Sequence, residues 1–280
     1  MFPFIAALSQ AAGIVIDKIG LTRRQIELKV FIPVLFLCLF ATCIILFPFL
    51  GKISPDFFSL KYISFFVAMI VLAVVWNIFY YRAVQSEKIH EFELVLSFQP
   101  LATILLASVI FAGERNWQIV LISVIADEAL VLARIKKNHF DFSPALWGMV
   151  VAILFMSVEL LIIKELLDVL SPVALYTLRT GLIFLFFYFY YRPHMTRVSN
   201  TNSGLILLTA TLGTIQMVTK FYGFQSFGIV YTSLILILSP ILVYIVSTFW
   251  MNERIKLKTY ICFILILACV VYATVLENRL

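Results

Sequence analysis

The chain has 280 residues, of which 63% are hydrophobic and only 13% charged, with a net charge of +6. A soluble domain of this size cannot hide so much apolar surface, whereas a bilayer accepts it as solvent. Ten spans of roughly 20 residues each would use nearly all of it, which leaves no room for a water-soluble catalytic domain. The positive charge is scattered through the polar breaks rather than gathered into a stripe, which argues against nucleic acid as a partner.

In chain order, apolar runs fall at about 2–17, 30–50, 60–81, 92–112, 117–133, 145–163, 173–191, 203–222, 228–250 and 258–276; these are spans 1 to 10. Span 1 is short and runs straight into Asp17 and Lys18. Without a basic stretch before it or a small-residue cleavage site, it reads as a retained helix rather than a signal peptide. Trp117, Trp147, Trp250 and the tyrosines at 188, 190 and 191 stand where helices should meet headgroups. The longest polar breaks are 51–59, 82–91, 134–144 and 192–203. The break from Arg134 to Pro144 is the natural seam, dividing the chain into units 1–138 and 139–280. A β-barrel is excluded, because barrel strands alternate apolar and polar residues and residues 31–50 are apolar on every side. Cys38, Cys43, Cys262 and Cys269 all sit inside apolar runs and show no disulfide or metal-ligand spacing.

Self-comparison gives the most specific signal. Span 4 reads LSFQPLATILLASVIFAGER, with Pro100 followed by Glu114; span 9 reads LILSPILVYIVSTFWMNER, with Pro240 followed by Glu253. Each has Gln or Ser just before its proline and ends in an acid-arginine pair, Glu114-Arg115 and Glu253-Arg254. Upstream, Tyr81 lies in register with Tyr222, and Lys29 at the start of span 2 with Arg179 in span 7. Five is odd, so a duplicated five-helix unit crosses the bilayer in opposite senses, with a site expected near the midplane. The fold class is therefore an all-α polytopic membrane protein, ten transmembrane helices arranged as two inverted five-helix repeats.

This pattern resembles the drug/metabolite transporter superfamily, specifically ten-helix proteins with paired EamA domains, over essentially the whole chain. The resemblance implies alternating access, a central cavity lined mainly by spans 1–4 and 6–9, and spans 5 and 10 at the periphery. Two features depart from the family: glycine is scarce, so other small residues must make the close helix contacts, and span 5 carries Asp127-Glu128. Most Lys and Arg fall in the loops after the odd-numbered spans, which favours those loops as cytoplasmic and the termini outside. The resemblance implies both termini inside, and that orientation is preferred here.

Ionisable groups within a span are costly unless paired or wetted, so each is a functional candidate. Glu159 in span 6, Arg179 in span 7 and Lys220 at the end of span 8 suggest a charged cavity. There Arg179 or Lys220 would bind a substrate carboxylate or phosphate, and Glu159 an amine or proton. The alternative is an internal ion pair that only holds helices together. Asn77 and Gln216 are near-matched carboxamides that seek hydrogen bonds from a ligand or a neighbouring helix. Tyr81 and Tyr222 could stack on a flat ligand or serve as interfacial anchors. Pro100 and Pro240 each remove a backbone donor and mark kinks, either static or used in gating. Asp127 is a second candidate for coupling, as a carboxyl able to carry a proton.

An intramembrane enzyme is disfavoured. His90, His139 and His194 read as loop residues, and His90-Glu91 lacks the second histidine of a zinc-protease helix. No phosphate-binding glycine turn is present, and no metal or cofactor is expected. The reading is a secondary carrier, ion- or proton-coupled or of exchange type, in a bacterial inner membrane. Its cargo is a small polar or amphipathic metabolite, amino-acid-like in character. The alternative is a non-transporting sensor or assembly subunit on the same fold; oligomeric state is not readable. If the halves are inverted, single cysteines placed at Arg115 and Arg254 should react with impermeant reagents from opposite faces of the membrane; labelling from one face would overturn the architecture.

Overall fold

The helices begin and end where local chemistry dictates. In the computed structural model, Ser143 and Ser171 each accept a backbone N–H of the first turn, from Leu146 and Ala174, and each precedes a proline at the first helical position. The structure describes residues 1–19, 21, 26–87, 89–114, 116–134, 143–192, 200–251 and 257–277. The helices are α1 (Phe2–Lys18), α2 (Leu28–Leu50), α3 (Leu60–Ser86), α4 (Ile89–Leu96), α5 (Phe98–Ile110), α6 (Trp117–Arg134), α7 (Pro144–Leu166), α8 (Pro172–Tyr191), α9 (Asn200–Leu236), α10 (Leu238–Met251) and α11 (Leu257–Glu277). Short 3₁₀ turns fill Pro55–Phe58 and Ala112–Glu114.

Among the described residues, five helical runs are long and apolar enough to cross a bilayer: Leu28–Leu50, Leu60–Ser86, Pro144–Leu166, Pro172–Tyr191 and Ser203–Val243. Phe2–Asp17, Leu94–Ile110 and Ile261–Leu276 are shorter apolar helices. Phe49, Leu60, Val109, Leu121, Phe189 and Ile264 are all exposed, as expected of side chains solvated by lipid. The chain is an all-helical, multi-pass membrane protein.

Two expected spans are shaped differently from simple rods. Span 4 is broken at Ser97, three residues before Pro100, and α9 gives way to α10 at Ile237, three residues before Pro240. The cause is the same in both, since proline lacks the N–H for the carbonyl one turn back and its ring crowds that carbonyl. Spans 8 and 9 are also continuous through Gly228, whose φ of 79° turns the chain without a loop. His90 belongs to the first turn of α4 rather than to a loop. His139, His194, Arg115, Glu253 and Arg254 lie outside the described residues.

Packing runs mostly between the two halves of the chain. α1 lies against α9 and α10, α3 against α7, α2 against α8, α5 against α7 and α9, and α6 against α11. Hydroxyls bridge the halves from Thr42 to Thr214 at 2.8 Å between α2 and α9 and from Thr103 to Ser157 at 3.1 Å between α5 and α7, while Tyr231 to Thr274 at 3.0 Å joins α9 to α11 within the second half. In a membrane such small polar residues allow close approach and hydrogen-bond across helices, alongside glycines such as Gly148 against Phe79 and Gly181 against Phe40. At one end, the segments after α2 and α7 pair through Ser54 N–H to Val169 O (2.8 Å) and Ser171 N–H to Lys52 O (3.0 Å).

Glu114 joins the two halves of the chain. Its carboxylate accepts the N–H groups of Ile229 (2.6 Å) and Val230 (3.0 Å), capping the stretch of α9 that follows Gly228. Lys164 at the end of α7 lies 3.4 Å from the same carboxylate and donates to Phe224 O at 2.8 Å. An acid at a fresh helix start satisfies orphan donors and complements the helix dipole. A Cβ on Gly228 would come within 2.9 Å of that carboxylate, at a backbone angle that side chains rarely adopt. Gly228→Ala should therefore destabilise the protein by about 1–3 kcal/mol, read as a lowered Tm in detergent; an unchanged melt would refute the strained joint.

Candidate functional site

An interior cavity of about 130 Å³ lies among α1, α2, α3, the α4–α5 break, α7, α8 and α9. α6 and α11 contribute no wall residue to it. The residues that reach it follow helical spacing. Gln10, Gly13 and Asp17 share one face of α1, and Thr209, Gly213, Gln216 and Lys220 share one face of α9. Trp76, Asn77, Tyr80 and Tyr81 come from α3, Met156, Glu159 and Leu160 from α7, and Tyr176 and Arg179 from α8.

The charged centre is a buried ion pair with a third member. Arg179 Nε donates to Glu159 Oε1 at 2.7 Å, with both side chains only 3% exposed. The indole N–H of Trp76 donates to the other oxygen, Oε2, at 2.5 Å. The guanidinium carbon stands 5.8 Å from the Trp76 ring centroid, in cation–π range. Both carboxylate oxygens are therefore occupied, whereas Arg179 Nη2 has no hydrogen-bond partner among the described residues. Lys220 is also buried; its Nζ lies 5.7 Å from the Phe224 ring, and it forms no ion pair with a described residue. Isolated charge in a low-dielectric interior is expensive, and of these two cationic side chains only Arg179 has an ion-pair partner among the described residues.

Of the residues singled out from the sequence, Asn77, Tyr81, Glu159, Arg179, Gln216 and Lys220 line this cavity. The amide nitrogen of Asn77 donates to Ala73 O at 2.7 Å, within its own helix. Tyr81 packs edge-on to Phe31, with centroids 5.6 Å apart. Tyr222 is outside the wall; its ring stacks on Phe2 at 5.3 Å, because its place on α9 faces the start of α1. Asp127 is outside as well. It is buried in α6, with neither carboxylate oxygen hydrogen-bonded to a described residue, while the adjacent Glu128 is exposed, as the roughly 100° step between helical neighbours requires. Pro100 is buried beside Gln99, which reaches the cavity, and Pro240 lies past the second break.

Sequence reasoning missed Asp17, Gln10, Gly13, Tyr176 and Thr209. Asp17 had the appearance of a flanking charge at the end of a run, yet it is buried against Thr209 with Oδ1 unpartnered. The signal that could have found them is a stripe of polar and small residues at helical spacing within apolar runs. A Cβ on Gly13 would meet nothing within 4 Å, so this glycine leaves open space in the wall.

The comparisons agree with this geometry at the level of family and fold. Residues 143–275, from the cap of α7 into α11, match the EamA-like transporter family. A solved crystal structure superposes with a TM-score of 0.75 at 16% identity, over 99% of this chain and 96% of that one, a likeness of fold. No curated protein matches. The family match supports kinship with the drug/metabolite transporters and a transporter-like function in general. Because Gly13 faces empty space, Gly13→Leu should insert and melt normally, aided by a helix propensity gain of up to about 1 kcal/mol, yet lose ligand binding and flux. Retained saturable flux in that variant would show that the cavity is not the binding site.

Proposed function

We propose that this protein is a secondary carrier which moves a small polar or amphipathic metabolite with an anionic group by alternating access. The observation that carries the reading is two cationic side chains in one cavity walled in part by aromatic rings: Arg179, whose Nη2 has no hydrogen-bond partner among the described residues, and Lys220, which forms no ion pair with them. Arg179 can present two parallel donors to a carboxylate or phosphate, while Lys220 adds a point charge. Glu159, with both oxygens engaged by Arg179 and Trp76, is a positioning residue. It compensates half of the buried positive charge and aims the guanidinium, which favours this role over direct binding of an amine or proton.

Ten spans in two inverted five-helix units, 1–138 and 139–280, would give such a cavity its mechanism. The packing supports this arrangement. The contact of α1 with α9 has a counterpart in α7 with α3, and that of α1 with α10 in α7 with α5. Meanwhile α2 packs on α8 and α6 on α11, each on its own repeat mate. Exchange of the halves leaves the set of contacts unchanged, as a two-fold axis in the membrane plane requires. The breaks before Pro100 and Pro240 then provide equivalent bending points, one per half, for opening the two ends in turn. Tyr222, on this reading, seats α1 rather than touching cargo, and Asp127 serves α6 rather than the cavity.

The test is flux into proteoliposomes. Wild-type protein should give saturable uptake of a small carboxylate or phosphate metabolite, found first by screening metabolite pools for thermal stabilisation. Lys220→Gln should weaken that ligand by about 30-fold, the scale of a desolvated charge pair, without preventing insertion. Glu159→Gln should abolish flux, because it leaves Arg179 uncompensated. Flux that never saturates would identify a channel, and ligand binding without flux would identify a sensor; either result overturns the carrier.

A further inference from the structure

The anion end is only part of the cavity. Asp17 lies in the same wall system and is 7% exposed, its Oδ1 without a partner. Thr209 stands against its carboxyl, and the Tyr81 phenol lies within electrostatic reach of both Asp17 and Arg179. Among the residues whose side chains are described, no Lys or Arg forms an ion pair with Asp17. Two turns earlier on the same face of α1, Gln10 Oε1 is also buried and unpartnered. Acceptors without donors on one wall are the complement of donors without acceptors on the other.

The separation of the two ends follows from α9 itself. Thr209, beside Asp17, and Lys220 lie on one helix about three turns apart, roughly 16 Å along its axis. A lysine side chain leans over the turn N-terminal to its own backbone, which shortens the gap by about 5 Å. About 10 Å remains. The ammonium and carboxylate of an α-amino acid sit on one carbon and cannot span it.

On the basis of the carrier reading, we infer that the cavity has two ends and that Asp17 is an ammonium site. The substrate class is an extended zwitterion, with its cationic and anionic groups about 10 Å apart. Asp17 accepts from the cationic end, Arg179 and Lys220 donate to the anionic end, and Gly13 leaves the passage between them open. An ω-amino carboxylate of about eight carbons has this reach, as does an extended tripeptide, at roughly 3.4 Å per residue.

Binding to the full chain in lipid nanodiscs tests this with defined probes: 8-aminooctanoate, the equally long dianion octanedioate, and the short zwitterion β-alanine. Wild-type protein should bind 8-aminooctanoate at least tenfold more tightly than either of the others. Asp17→Asn should erase the preference over octanedioate to within about twofold, and Lys220→Gln should weaken both long ligands. The ratio of two ligands on one preparation does not depend on how much protein is folded. Equal binding of 8-aminooctanoate and octanedioate by wild type, or a preference that survives Asp17→Asn, overturns the ammonium site; the carrier reading then stands if Lys220→Gln still weakens both. A preference that survives alongside a loss of pH-dependent flux would mean that Asp17 holds a proton instead, which also overturns it. If β-alanine binds as well as the long zwitterion, the 10 Å spacing is wrong. If none of the probes binds saturably, the anion end fails and takes this inference with it.

Discussion

A guanidinium and a carboxylate buried together inside a membrane protein set the terms for everything around them. Arg179 and Glu159 are 2.7 Å apart and almost fully buried, where the desolvation of either charge alone would cost several kcal/mol. The pair survives because Trp76 takes the remaining carboxylate oxygen, tying α3 to α7 and α8 at one point. That saturation has a directional result. Glu159 is satisfied, while one nitrogen of Arg179 is not, so the pair presents net donor capacity to the cavity. Lys220 lies close enough to both to feel them electrostatically, and it tips the local balance toward positive charge.

Around this centre the two halves are sutured rather than merely apposed. Hydroxyl bridges at Thr42–Thr214 and Thr103–Ser157 join helices from opposite halves, and Glu114 of one half starts a helix of the other. Such directional contacts in lipid favour discrete arrangements over continuous sliding. The helix breaks at Ser97 and Ile237 lie outside these sutures. The fold therefore combines stiff junctions with two local weak points in the backbone hydrogen bonding, a combination suited to switching between end states.

The difference between Tyr81 and Tyr222 shows the limit of reasoning from a repeat. They match in sequence register, yet Tyr81 reaches the cavity and Tyr222 stacks on Phe2. Register relates backbones, but the neighbour of a side chain depends on which helix end lies beside it. Asp17 shows the converse. Its position at the margin of an apolar run suggested a solvated flank, and only its burial against α9 reveals a cavity group. Asp127 stood out from the sequence for the right physical reason, an acid in an apolar span, but α6 does not border the cavity.

The class of solvent, the helical nature of the chain and two of its bends were readable from residue order, because each depends on local quantities, whereas the joint at Gly228 was not. Run length sets what can cross a bilayer, and Pro100 and Pro240 each mark a break three residues upstream, whereas Pro33 and Pro48 sit within an unbroken α2. Glu159, Arg179 and Lys220 were visible for the same reason, since a charge in an apolar run is anomalous without reference to any neighbour. Which of these charges is satisfied and which is left wanting is a through-space property. Glu114 capping Ile229, and Trp76 closing the Glu159 pair, arise from segments far apart in the chain meeting at distances of about 3 Å, and no local pattern encodes such meetings.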